Sequence, residues 1–247
     1  VTLIVAIGCS DGVVLAADSA VSDAELGIKQ PGEKLRRIGE HPILFGFSGD
    51  VGLLQKVEEN LQKYKPKSTL KQLRAHIKGL VCEELQASAK WHVPYPHSVF
   101  EKPPPAIFLF AGVLDGRPWI LEIERDGRDT VYGDDLGNFA AIGSGKPWAQ
   151  AIFRPHLYTP RSLGVAQVMA YRVLDDSIAL AAGWLASPIH IHTLDSAGDF
   201  NKLPPDDKNL SKICDMWREI ERESLGKALA PPGEAEPEVS IPQPPPP

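Results

Sequence analysis

Apolar residues run almost without interruption through residues 2 to 7 (TLIVAI) and 13 to 17 (VVLAA). A strand with one wet face alternates apolar with polar, so these continuous runs predict two strands buried on both faces. Between them lies GCSDG, whose Asp11-Gly12 pair suits the positive φ of a tight turn, and the two strands are read as an antiparallel hairpin. After the Gly- and Pro-punctuated GIKQPGEK, strands are expected at LRRIG and ILFGFSG, which would make a first sheet of four strands.

The period then changes to that of a helix. Leu53, Leu54, Val57 and Leu61 stand close to a 3.6-residue repeat in Gly52 to Tyr64, and Ser68 is a candidate N-cap for a second helix with Leu70, Leu73, Ile77, Val81 and Leu85 on one face. Both are expected to cover the first sheet. Beyond the Pro-rich loop HVPYPHSVFEKPPP, the turns LDGR and RDGR divide residues 106–133 into the strands of a second antiparallel sheet. FAAIGSG reads as a strand, KPWAQAIFRPHL as a short helix, Leu163 to Leu185 as a long buried helix, SPIHIHTLD as a strand and residues 206–224 as a terminal amphipathic helix. Two antiparallel sheets with helices outside each give an α+β, four-layer α-β-β-α sandwich. It is expected to form one domain over residues 1–225, followed by a proline-rich tail over 226–247 whose composition predicts disorder or polyproline conformation.

Composition narrows the function. No apolar run approaches the ~18 residues of a membrane helix, and a net charge of -6 speaks against a nucleic-acid partner, so neither membrane nor nucleic acid is expected. The short basic string KLRR at 34–37 has a solvated turn as its default reading. Cys9, Cys82 and Cys214 are odd in number and widely spaced, which fits reduced thiols, and with no basic, apolar leader at the start a cytoplasmic location is expected.

Three polar positions stand out: Thr2 at the first strand, Asp18 at the end of the second and Lys34 after the punctuated loop. A hairpin returns its second strand to the start of its first, which brings Asp18 beside Thr2. A threonine hydroxyl needs a base, and an α-amine on the same residue, with a pKa of ~8, can serve. A cationic lysine would lower that pKa and an aspartate would orient the lysine. No cofactor is required by this chemistry.

The segments TLIVAIGCSDGVVLAADS, KLRRIGEHPILFGFSGD and FAAIGSGKPWAQA resemble the proteasome β subunits and their bacterial relatives, the HslV-type ring peptidases above all. The resemblance implies the N-terminal nucleophile hydrolase fold and a threonine peptidase acting on peptides or unfolded proteins. By the same resemblance Thr2 is the nucleophile, Lys34 tunes its amine, Asp18 holds Lys34, Ser144 supports proton transfer and the Gly49 N–H forms the oxyanion hole. Val21, Phe47 and Ser48 would border the pocket for the residue before the scissile bond. Stacked rings of six or seven chains and an ATP-dependent unfoldase are implied by the same route. The chain departs from the pattern where Val1 precedes Thr2, making its nitrogen an amide, and where Asp175 and Asp176 fall two turns too early in the long helix for the family's supporting carboxylate.

Rival readings are an inactive ring-forming scaffold with Thr2 blocked by Val1, and an N-terminal nucleophile hydrolase of small amides. GSGK at 143–146 is not a phosphate loop, because Ala140 and Pro147 occupy its first-glycine and magnesium-binding positions. His190 and His192 share a strand face, with a surface or interface role expected rather than a metal. Asp206 and Asp207 open a helix and offset its dipole, and Trp148, Trp184 and Trp217 are read as packing residues.

Overall fold

The strands β1 (Ile4–Cys9) and β2 (Gly12–Ala17) form the expected hairpin, with Cys9 paired to Gly12 and Ile4 to Ala17. Every residue in both is buried. The structure, a computed structural model, describes residues 2–22, 29–91, 106–133, 137–154, 162–181 and 184–229. Val1, the Pro-rich loop 92–105 and the tail from residue 230 lie outside the described residues. Gly12 lies near extended backbone, and glycine is demanded there by a close approach instead: a Cβ would sit 2.2 Å from the Leu194 carbonyl oxygen.

After β2 come the short strands β3 (Ala20–Ser22) and β4 (Lys29–Pro31), paired with each other, then β5 (Leu35–Arg37) and β6 (Ile43–Ser48). The helices α1 (Val51–Leu61) and α2 (Leu70–Trp91) lead to β7 (Ile107–Leu114), β8 (Arg117–Glu124), β9 (Asp129–Tyr132) and β10 (Phe139–Ile142). The chain closes with α3 (Lys146–Phe153), α4 (Leu163–Leu180), β11 (His190–Asp195), β12 (Phe200–Lys202) and α5 (Lys208–Leu229). One five-stranded antiparallel sheet has the order β10-β1-β2-β11-β12, the other β5-β6-β7-β8-β9.

Strands β5 and β6 therefore belong to the second sheet, not to a four-stranded first one. β1 and β2 already have β10 and β11 on their outer sides, which leaves no free edge for β5. Leu35 and Leu44 instead stack face to face on the hairpin, in a core with Ile4, Ala6, Leu15, Leu109 and Ile120. This inter-sheet layer is why β1 and β2 are apolar on both faces. Their other face meets α3, α4 and α5 through Val5, Val14, Phe153, Met169, Leu174 and Cys214. α1 and α2 cover the second sheet, where Phe45, Phe108 and Phe110 meet Val57, Ile77 and Val81. Each fully buried phenylalanine contributes roughly 1.5–3 kcal/mol by leaving water. The layers are thus α-β-β-α.

Two helix ends matter locally. Asp50 caps α1 by accepting from the Leu53 N–H at 2.8 Å, which fixes the chain just after Gly49. At α2, Thr69 Oγ1 accepts from the Gln72 N–H, whereas Ser68 bonds the Gln72 side chain, so the cap lies one residue later than expected. α4 ends at Leu180, short of Leu185, while α5 continues to Leu229, beyond the expected residue 224.

Candidate active site

Asp18 follows the last residue of β2, and the hairpin brings it back to the start of β1. Its Oδ1 accepts from the Leu3 N–H at 2.8 Å, its Oδ2 from the Ala20 N–H at 3.0 Å, and its own N–H donates to the Leu3 carbonyl. Lys34 reaches the same Oδ1 from the residue before β5, with Nζ at 2.5 Å. Both partners are buried, the carboxylate completely. Burial pulls the Lys34 ammonium below its usual pKa, against the opposing pull of Asp18. KLRR is accordingly no solvated turn: Lys34 is an interior cation, and Arg36 and Arg37 bond backbone carbonyls at 33, 35, 40 and 41.

Ser144 arrives from the far end of the chain. β10 runs beside β1 with Ile142 opposite Ile4, so the IGSG turn meets the start of the first strand. Gly143 has φ 91°, and a Cβ there would lie 2.1 Å from the Thr2 carbonyl oxygen. Gly145 donates its N–H to the same carbonyl at 3.2 Å. Held between them, Ser144 Oγ accepts from the Thr2 nitrogen at 3.3 Å. Thr2, Lys34, Ser144 and Gly49 all line one cleft of about 800 Å³, together with Val21, Phe47 and Ser48. The structure thus brings seven of the expected positions to a single cleft and sets Asp18 just beneath it.

The fold alone identifies further residues at this edge. Glu33, adjacent to Lys34, bonds His192 Nε2 at 3.0 Å and Lys202 Nζ at 2.7 Å. Burial raises the Glu33 pKa, but Lys202 and His192 outweigh it and hold the carboxyl below its ordinary range. His190 and His192 do share one face of β11, but that face looks between the sheets: His192 is 3% exposed, which excludes a surface role. Burial pushes its pKa down to about 4 despite Glu33, so the ring is neutral and donates to the carboxylate. Among the described residues no group of His, Cys, Asp and Glu is arranged to hold a metal ion. Glu33 and His192 are separated by 159 positions, and nothing in the local pattern joins them. A second buried carboxylate, Glu122 on β8, accepts from Tyr132 OH at 2.5 Å and Lys146 Nζ at 3.2 Å, tying the turn after Ser144 to the second sheet. The acidic residues late in α4 serve packing: Asp175 and Asp176 pair with Arg218 of α5, and Asp176 also with Arg172. Asp207 caps α5 through the Asn209 and Leu210 N–H groups, whereas Asp206 turns away to bond the Ile189 N–H. Trp217 packs against the first-sheet core, but Trp148 and Trp184 are 37% and 63% exposed and are not core residues.

The family model for proteasome subunits matches residues 2–184, from Thr2 to the end of the α4 region. The chain belongs to the proteasome subunit family. Within it, the chain is 27% identical over 172 residues to the ATP-dependent protease subunit HslV of Anaeromyxobacter sp. (strain Fw109-5), which covers 69% of this chain and 82% of that protein. In fold, this proteasome-family chain is similar to Anbu (ancestral beta-subunit) from Yersinia bercovieri, with a TM-score of 0.72 at 16% identity over 91% of this chain and 97% of the other. It is equally similar to the chain in the helical assembly of the Anbu complex from Pseudomonas aeruginosa, at 0.71 and 19%, over 94% and 98%. No helix among the described residues is long and apolar enough to cross a membrane.

Proposed function

We propose that this proteasome-family chain is an N-terminal threonine peptidase. The observation that carries the reading is the buried Lys34–Asp18 pair, anchored to the Leu3 N–H one residue from Thr2 and facing a cleft that also holds Ser144 and Gly49. A structural ion pair would gain little from being placed there, since burying two charges costs about what their attraction returns. A cation beside an N-terminal amine, by contrast, keeps that amine unprotonated and basic.

With Val1 removed, the Thr2 amine takes the Oγ proton as Oγ attacks the scissile carbonyl carbon. The Gly49 N–H stabilises the resulting oxyanion. The tetrahedral species collapses, the C–N bond breaks, and the amine delivers its proton to the leaving nitrogen, with Ser144 Oγ as relay. Water, deprotonated by the same amine, then hydrolyses the threonyl ester. Val21, Phe47 and Ser48 receive the side chain before the scissile bond, and the cleft's largely apolar wall suits an apolar one. The names of its relatives, a subunit of an ATP-dependent protease and a helical assembly, support self-association into rings or helices and an ATP-driven partner that delivers unfolded chains.

The test is turnover of aminocoumarin-capped peptides by protein beginning at Thr2. Thr2→Ala is expected to lower kcat by at least about 10³-fold. Val1 favours a second reading, a blocked scaffold of the same fold, in which Val1 stays on every chain purified from the cell and that protein turns over no peptide.

A further inference from the structure

Beyond the cleft of Thr2 lies a second hollow, of about 370 Å³, with Ser144 on the shared rim. Its walls are Trp148 from the first turn of α3, Leu180 and Ala181 from the end of α4, and Trp184 and Leu185 just after it. Trp148 is 37% exposed, Trp184 63% and Leu180 69%, an unusual concentration of large apolar surface for one corner of a chain. Among the described residues no charged side chain lines the hollow.

The walls are held in place. Trp184 and Leu185 donate their N–H groups to the Ala181 carbonyl, and Trp148 donates its own to Gly145, beside Ser144. The next residue, Ala186, accepts from both the N–H and the hydroxyl of Ser19, which adjoins Asp18. Both tryptophans are thus indexed to the same strand ends that place the candidate nucleophile.

Direction follows from the chemistry, and here the inference rests on the threonine-peptidase reading. Gly49, Phe47 and Val21 line the cleft with Thr2, and the acyl half of a substrate must lie there to put its carbonyl oxygen near the Gly49 N–H. The leaving nitrogen must collect a proton from the Thr2 amine, and Ser144 Oγ lies 3.3 Å from the Thr2 nitrogen. The leaving half therefore departs across Ser144, over the rim and toward the two indoles. We infer that this hollow is a leaving-group subsite, taking an apolar and preferentially aromatic side chain of the residue that follows the scissile bond. Two indoles at its mouth offer an aromatic ring offset-stacked or edge-on contacts that an aliphatic chain cannot make. A carboxylate or ammonium would be stripped of water there with no partner.

Acyl transfer tests this directly. Protein beginning at Thr2 is acylated by an aminocoumarin peptide and the threonyl ester is partitioned between water and an added amine. The amine nitrogen attacks the ester carbonyl, a new amide bond forms, and Thr2 Oγ leaves with the proton returned through the α-amine. Phenylalaninamide is expected to capture the acyl group at least roughly tenfold more efficiently than glycinamide. In Trp184→Ala and Trp148→Ala, both at exposed positions, that ratio should fall toward one, with circular dichroism confirming the fold. Because the readout is a ratio between two acceptors, it is independent of how active each variant is. Coumarin release with equal capture of both amines, or a preference that survives both substitutions, overturns the subsite and leaves the peptidase reading standing. Absence of coumarin release overturns the peptidase reading and the leaving-group role together.

Discussion

Removing either member of the Lys34–Asp18 pair should destabilise the protein, but by unequal amounts. Asp18→Ala strands a buried ammonium and also leaves the Leu3 and Ala20 N–H groups without their acceptor. At pH 7 the ammonium can escape by losing its proton, which caps its penalty at about 5 kcal/mol, from an ordinary lysine pKa near 10.4 at 1.36 kcal/mol per unit. Each abandoned N–H adds about 1 kcal/mol or more. Lys34→Met leaves a carboxylate that keeps both N–H donors, so its cost should be nearer 3 kcal/mol, at the low end for a broken buried pair. Urea unfolding with an unchanged m-value is the assay. The expected order is a loss of about 5 kcal/mol or more for Asp18→Ala against about 3 for Lys34→Met. The two should also differ in pH response. In Asp18→Ala the folded lysine pKa falls further, so between that value and the unfolded one the unfolded chain binds the extra proton and stability rises with pH. Asp18→Ala should then recover part of its loss between about pH 7 and 10. Equal costs, or losses below about 1 kcal/mol, would refute the idea that Asp18 anchors both a buried charge and the strand ends.

Three further outcomes follow from the surroundings of single residues. With a folded pKa of about 4 against an unfolded value near 6.5, His192 stays neutral while the unfolded chain takes up its proton, so stability is lost as pH falls through that window. The loss should reach about 3 kcal/mol, Glu33 adding to it at lower pH, and His192→Gln should flatten the fall when urea midpoints are compared at pH 7 and 4.5. Gly143→Ala places a methyl against the Thr2 carbonyl at a left-handed backbone position and should cost at least about 2 kcal/mol by the same assay. Gly79→Ala, on the exposed side of α2 with open space around it, should instead stabilise by about 0.5–1 kcal/mol.

The sandwich and most of the cleft could be read from the chain because their signals are local or nearly so. Double-faced strands announce a second sheet, and a hairpin of known length brings Asp18 to Thr2. The sheet to which β5 and β6 belong is not legible in this way, because hydrophobic pattern reports burial and period, not which edge is free. The edges of β1 and β2 are filled by β10 and β11, which come from more than a hundred residues away. The Glu33–His192 bond was hidden for the same reason, and so was the role of Glu122, whose partners Tyr132 and Lys146 lie on other elements. Trp148 and Trp184 look like core residues by type. Trp184 lies beyond the end of α4, at Leu180 instead of Leu185, and the preceding apolar run does not mark that end.

The most direct measurement on Thr2 is the intact mass, with N-terminal sequencing, of protein beginning at that residue after brief exposure to an activated peptide ester. The expected result is one acyl group per chain, located on the Thr2 peptide, absent in Thr2→Ala and discharged on standing as the ester hydrolyses. An acyl group that forms equally in Thr2→Ala, or no acylation of a chain whose Thr2 amine is free, would contradict a nucleophilic role for Thr2.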